Sequence, residues 1–184
     1  VSVHYKDGQI TKKTNYKDGK ETDLIRFWYH ENGQLQSRGY FKEGKPNGPF
    51  EVYYQNGVIN TMGTMKNGKN NGLLEFFYLN GQLNYKTNFK DGKEDGLEEW
   101  YYENGQLEFK GNHKDGERDG LWEFYYENGN LQSKENHRNR EYDGPWETFS
   151  PGGQLLSRRN WKEGILESSE YYDKDNQRII NGVS

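Results

Sequence analysis

Five glutamates, Glu51, Glu75, Glu99, Glu123 and Glu147, stand 24 residues apart and are the first candidates for acid–base work. Paired carboxylates can divide a reaction between an acid and a base. A catalytic pair needs no copies of itself, however, and the recurrence fits cross-strand ion pairs better. His113 and His137 are also 24 residues apart, and two imidazoles could begin a metal site. No third ligand repeats beside them, so stacked or hydrogen-bonded structural histidine is the better reading. Asp91, Asp95, Asp115 and Asp119 each precede a glycine, as in calcium loops. They lack the ligand alternation of a calcium site, and turn chemistry accounts for them. There is no Gly-x-Ser-x-Gly elbow, phosphate loop, dinucleotide fingerprint or paired-histidine zinc motif. The chain reads as non-enzymatic, with no cofactor and no metal.

The elements that carry these residues repeat. Asn32-Gly33, Asn56-Gly57, Asn80-Gly81, Asn104-Gly105, Asn128-Gly129 and Gly152-Gly153 recur every 24 residues, and Gly44, Gly68, Gly92 and Gly116 keep the same step. Such a period marks an array of supersecondary units. There is no Ala and there are 23 Gly, which argues against helix. Only 30% of residues are hydrophobic and 29% are charged, yet 15 Tyr, 9 Phe and 5 Trp supply the apolar area. The expected fold is all-β: an elongated, single, twisted antiparallel sheet of about seven consecutive hairpins. Residues 1–184 form one array, regular over 1–164, with an irregular capping hairpin over 165–184.

One unit shows the expected register. Leu97 to Tyr102 is a strand, Asn104-Gly105 is a two-residue type I′ turn, and Gln106 to His113 is the returning strand. Glu103 then faces Gln106, Tyr102 faces Leu107, Trp100 faces Phe109 and Glu99 faces Lys110. The same register sets Glu75 against Lys86, Glu123 against Lys134 and Glu147 against Arg158, while Glu51 meets Met62. In the first full hairpin Arg26 would face Arg38, unless an extra residue near His30-Glu31 shifts it. Asp91-Gly92 and Asp95-Gly96 mark the connection between units. Arg140 replaces a repeat glycine, so positive φ is expected to be avoided there.

Alternation separates two faces. One is packed. It carries Phe50, Val52, Tyr54 and their equivalents through Trp122, Phe124 and Tyr126, the leucines of the return strands, and the column Phe41, Met65, Phe89, His113, His137 and Trp161. Val1, Val3 and Tyr5 begin the same face. The other carries the Glu/Lys ladder and one aromatic column: Trp28, Tyr53, Phe77, Tyr101, Tyr125 and Phe149. That column is the candidate partner-binding stripe, since Tyr brings area and a polar tip at low entropic cost. The bland alternative is that its rings shield neighbouring strands.

The net charge of −4 comes from 25 basic and 29 acidic residues mixed along the chain, which gives no support for nucleic acid or anionic membrane as main partner. Zero Cys fits either redox compartment. No apolar run approaches the ~20 residues that span a bilayer. Val1 is not an initiator methionine, so a removed export signal stays open and localisation is unassigned: bacterial cytoplasm or cell surface.

Units of the form Leu-x-Glu-Phe/Trp-Tyr-Tyr-Glu-Asn-Gly-Gln-Leu, followed by Phe-Lys-Asp-Gly-Lys-x-Asp-Gly-Leu, resemble the bacterial variant of the MORN repeat. The match runs from Val1 to about Gly164, with departures at Arg140, Pro145 and Ser150-Pro151. The resemblance implies consecutive antiparallel hairpins. It also points to the YwqK-type antitoxin family, whose members neutralise a toxin by binding it. The expected function is therefore a protein-binding scaffold, an antitoxin or immunity protein, with a protein partner and self-association through sheet ends or faces. The alternatives are an exported cell-envelope or carbohydrate-binding module, since choline- and glucan-binding repeats are also short and aromatic, and a membrane-associated scaffold.

Overall fold

Two kinds of turn alternate along the chain, and each has its own backbone chemistry. Asp7-Gly8, Asp18-Gly19, Glu43-Gly44, Asn67-Gly68, Asp91-Gly92 and Asp115-Gly116 have positive φ at both residues, 50–54° at the first and 75–91° at the second. These are the two-residue turns of type I′ that suit twisted hairpins. Asn139-Arg140 is built the same way, with Arg140 at φ 73°, so the expectation that positive φ is avoided there is overturned. The hairpin on either side imposes the conformation, and the Arg140 guanidinium is held by Glu117.

The Asn-Gly turns are not type I′. In Tyr102 to Gln106 the N–H of Gly105 reaches the Tyr102 carbonyl at 2.9 Å and the N–H of Tyr102 reaches the Gln106 carbonyl at 2.8 Å. Gly105 has φ 84° and Asn104 is not left-handed, so three residues form the loop. The Asn104 side chain takes the N–H of Gln106 at 2.9 Å, an Asx contact that a type I′ turn would not supply. The loop therefore pairs Tyr101, not Tyr102, with Leu107, and the expected Glu103–Gln106 pairing is lost to the loop. One residue later Glu108 bulges out, and Trp100 faces Phe109 and Glu99 faces Lys110 as expected. The extra loop residue and the extra bulge residue cancel.

A computed structural model of the chain describes residues 1–175 and 177–182, the last three as backbone only. Contacts divide it into two units, Val1–Lys93 and Glu94–Ser184. Unit 1 holds β1 (Ser2–Lys6), β2 (Gln9–Lys17), β3 (Lys20–Tyr29), β4 (Leu35–Lys42), β5 (Lys45–Tyr53), β6 (Ile59–Lys66), β7 (Lys69–Phe77) and β8 (Leu83–Lys90), each antiparallel to the next. Unit 2 starts one residue into β9 (Lys93–Tyr101) and continues with β10 (Leu107–Lys114), β11 (Glu117–Tyr125) and β12 (Leu131–Arg138). Next come β13 (Glu141–Tyr142) and β14 (Gly144–Phe149), both paired to β12, then β15 (Leu155–Lys162), β16 (Ile165–Tyr172) and β17 (Arg178–Gly182). No helix occurs among the described residues. The fold is all-β and antiparallel, in hairpin order. Residues 176, 183 and 184 of the expected cap lie outside the described residues.

The second glycine of each unit is not a connection, as Asp95-Gly96 suggested, but a bulge inside a strand. Gly48, Gly72, Gly96, Gly120 and Gly144 have φ from 76° to 121° within or beside the longer strands. In β4/β5, Tyr40 is opposed by three residues, Asn47 to Pro49. The terminal hairpins replace this with one-residue bulges at Thr11, Thr22 and Glu167, which is why the spacing loosens after Trp161. No extra residue sits at His30-Glu31: that turn matches the others, and Arg26 faces Gly39.

Within each unit, side chains of the three-residue turns clasp one hairpin to the next. Tyr54 Oη donates to the Phe77 carbonyl at 2.8 Å in unit 1, and Tyr102 to Tyr125 at 2.7 Å and Tyr126 to Phe149 at 2.9 Å in unit 2. Asn32, Asn104 and Asn128 add amide donors to the following turn. A one-layer sheet must shield its apolar area with its own rings, and few become buried: Leu24, Leu74 and Tyr85 in unit 1, Trp122 in unit 2. Trp122 reaches 0% exposure by lying flat over Gly111, where an added Cβ would sit 2.1 Å from Cδ2. Val1, Val3 and Tyr5 are 81%, 39% and 64% exposed, so the expected packed face does not extend to the first strand.

Candidate binding faces

Ladder glutamates and aromatic column are built together on one face. In unit 1 the Arg38 guanidinium grips Glu51 with both arms, Nε to Oε2 at 2.6 Å and a terminal nitrogen to Oε1 at 2.8 Å. Tyr53 donates its hydroxyl to the same carboxylate. Arg38 holds the Glu51 carboxyl below its ordinary range, with Tyr53 helping, and Glu51 in turn raises Arg38. Burial, then Glu51, pushes the Tyr53 phenol up. Glu51 does face Met62 in its own hairpin, yet its partner comes from the hairpin before.

Unit 2 repeats the arrangement. Glu123 lies between Lys110 at 3.0 Å and Lys134 at 3.9 Å, one from each neighbouring strand. Burial, then Glu123, raises the Tyr125 phenol, and a hydrogen bond to Glu123 raises Lys110. Glu147 binds Arg158 at 2.8–2.9 Å, and Glu170 takes the Tyr172 hydroxyl at 2.6 Å and Arg178 at 3.3 Å. The expected Glu75–Lys86, Glu99–Lys110, Glu123–Lys134 and Glu147–Arg158 registers all stand.

Strand alternation places Tyr53 and Phe77 on the ionic face of unit 1, and Tyr101, Tyr125 and Phe149 on that of unit 2, all half-buried. Trp28 does not belong with them. Twenty-four residues before Val52, it faces Ser37 and packs on Phe41 with ring centroids 6.3 Å apart, on the opposite face. Tyr29 holds the column position, its hydroxyl bonded to the Ile10 carbonyl at 2.8 Å. Trp28 instead borders an apolar hollow of about 230 Å³ whose walls include Phe41, Pro46, Phe50, Val52 and Met65.

The opposite face of unit 2 holds carboxylates that sequence reasoning missed. Glu98 and Glu135 are buried. Glu98 accepts the Trp100 indole N–H at 2.7 Å and lies 2.5 Å from His113 Nε2. Glu135 binds Arg118 at 3.0 Å and His137 Nε2 at 2.9 Å. Trp122 sits among them, with the His113 ring edge-on at 5.2 Å and the Arg118 guanidinium 4.1 Å above its ring. The signal was available: Glu98 occupies the repeat position of Leu74 and Trp122, where a charge must find partners. His113 and His137 thus each engage a carboxylate and an aromatic ring. No group of three or more ligating side chains suited to a metal occurs among the described residues.

The MORN repeat variant family matches this chain at residues 23–43, 46–67, 70–91, 94–115, 118–139 and 142–163. The chain belongs to the MORN repeat variant family. MORN repeats suggest a scaffold, are typically non-catalytic and commonly mediate protein interaction. Each matched MORN segment runs from the bulge of one hairpin to the two-residue turn of the next. No curated protein matches the chain. Among solved structures, a chain of the Photorhabdus luminescens Tc holotoxin pore, with the TccC3 D651A mutation, is similar at 12% identity and a TM-score of 0.25. The match covers 95% of this chain and 13% of that one.

Proposed function

We propose that this MORN-repeat chain is a non-enzymatic scaffold that holds a protein partner on its ionic face, and that the partner is a toxin which binding neutralises. The observation that supports the reading is the ionic face of each unit: half-buried rings of Tyr53 in unit 1 and of Tyr125 and Phe149 in unit 2 lie beside glutamates already paired to Arg or Lys, with Phe77 and Tyr101 at the same repeat position in their own units. Pre-paired charges can be covered without leaving an orphaned ion, and rings supply the contact area. The toxin as partner is supported by the resemblance of the repeat to antitoxin proteins.

Tagged protein should recover one dominant partner from native cells, and co-expression should protect growth against it. Replacing Tyr101 and Tyr125 by Ser should weaken the complex at least about tenfold with the far-ultraviolet spectrum unchanged. Absence of any partner at micromolar concentration would remove the reading.

A further inference from the structure

The near-neutral whole conceals a division of charge. Unit 1 carries 14 Lys and Arg against nine Asp and Glu, a net of +5, while unit 2 carries 11 against 20, a net of −9. Much of the positive excess lies along one edge of unit 1, where the two-residue turns lie. Lys17 faces Lys20, Lys42 faces Lys45 and Lys66 faces Lys69 directly across those turns, and Lys90 and Lys93 flank the next. All eight are exposed, and none forms an ion pair among the described residues. Like charges placed opposite each other destabilise a hairpin. The corresponding turns of unit 2 show the repeat does not demand this, for they pair Lys114 with Glu117 and Arg138 with Glu141.

The edge is shaped as well as charged. Successive turns enclose a groove of about 280 Å³ lined by Lys42, Glu43, Lys45, Asn47, Lys66 and Asn67. The Asn47 oxygen accepts the Asn67 N–H at 3.1 Å, which leaves the Asn47 amide nitrogen as a donor. Further along, the Lys69 stem lies across the following turn, with its Cδ 3.2 Å from where a Cβ on Gly92 would be. The equivalent groove of unit 2 is lined by Arg138, Asn139, Glu141, Asp143, Lys162 and Glu163, in which acids outnumber bases.

We infer that the lysine edge of unit 1 docks an extended, carboxylate-bearing segment of a partner protein. The inference rests on the scaffold reading above and adds a second contact, of different chemistry, away from the aromatic column. Successive turns are two strands apart, roughly 10 Å. A chain in the extended polyproline II form turns once and advances about 9 Å in three residues, so acids at every third position face one side and meet one lysine pair each. Ammonium groups act as point charges that suit single carboxylates.

The probe is a labelled synthetic peptide with Glu at every third position, separated by Gly and Ser, and its Gln counterpart as control, titrated into the full chain. Lys45→Glu with Lys69→Glu is compared with Lys162→Glu plus Lys174→Glu, which changes net charge equally in unit 2. The edge variant converts two like-charged turn pairs into opposite ones, so it keeps the hairpins. We expect the Glu peptide to bind and the Gln peptide not to. The edge variant should lose affinity about tenfold or more, the control less than about twofold, and raising salt from about 50 to 300 mM should weaken binding. Equal loss in both variants, no loss in either, no binding of the peptide, or tighter binding of duplex DNA would overturn the inference. If the edge variant still captures the native partner undiminished, the edge fails while the scaffold reading stands. If the peptide binds the edge and no native partner is recovered, the failure lies with the scaffold reading.

Discussion

Gly111 is the position where one methyl group would do most damage. Its absent side chain is the space that Trp122 fills, and an added Cβ would meet three indole atoms at 2.1–2.6 Å. Neither partner can yield, because the indole is flanked by His113 and Phe109 and the glycine sits in a hairpin ladder. Gly111→Ala should therefore destabilise by about 1–3 kcal/mol, read as a lower urea midpoint. A change below a few tenths would mean that the sheet gives way there. At this scale the sequence was partly legible. Residue type and period separated the two faces, yet they misplaced Trp28 by one residue and could not show that the Arg140 backbone would accept φ 73°. Propensity describes what a residue prefers; two hairpin strands can overrule it.

At the scale of the strand, ion pairs both close hairpins, as Glu147–Arg158 does across its own turn, and couple one hairpin to the next. Glu51 pairs with Arg38 of the preceding hairpin strand, and Glu123 reaches both neighbours. Because the folded Glu51 carboxyl lies below its ordinary value of 4.5, its contribution is fully present above that pH and is lost as pH falls through the folded value. Glu51→Gln should consequently flatten the acid limb of the stability profile, measured by urea titration between about pH 3 and pH 7. Parallel profiles for variant and parent would show the pair to be inert. The registers expected for the ladder glutamates hold, although the reasoning behind them does not. A type I′ turn at Asn104-Gly105 and a three-residue turn followed by a bulge give the same pairing beyond Trp100. The hydrogen bonds at Tyr102 and the absence of positive φ at Asn104 distinguish them, and neither is written in residue type.

Over the whole molecule, the repeat behaves as a step that can be taken or omitted. Removing Ile59–Gln82 deletes one 24-residue step inside unit 1 and joins Val58 to Leu83, which occupies the position of Ile59. Nearest-neighbour stability predicts a folded, shorter β protein whose urea m-value falls with the lost surface. Loss of the β spectrum would instead mean that unit 1 folds only as a whole. The repeat was legible because its glycines and aromatics are spaced by the backbone's own needs. The opposite charges of the two units were hidden in a balanced total, which averages over the very asymmetry that matters.

Gln36, Asn60, Asn84, Glu108, Gln132 and Leu156 are the residues left over when each three-residue loop is compensated. Having no residue opposite, they escape the matching rules that bind the paired strand positions. Amide, acid and hydrocarbon all occur there. Variation along this unmatched row is therefore cheap for the architecture, and descendants of such an array could diversify there while their hairpins stay in step.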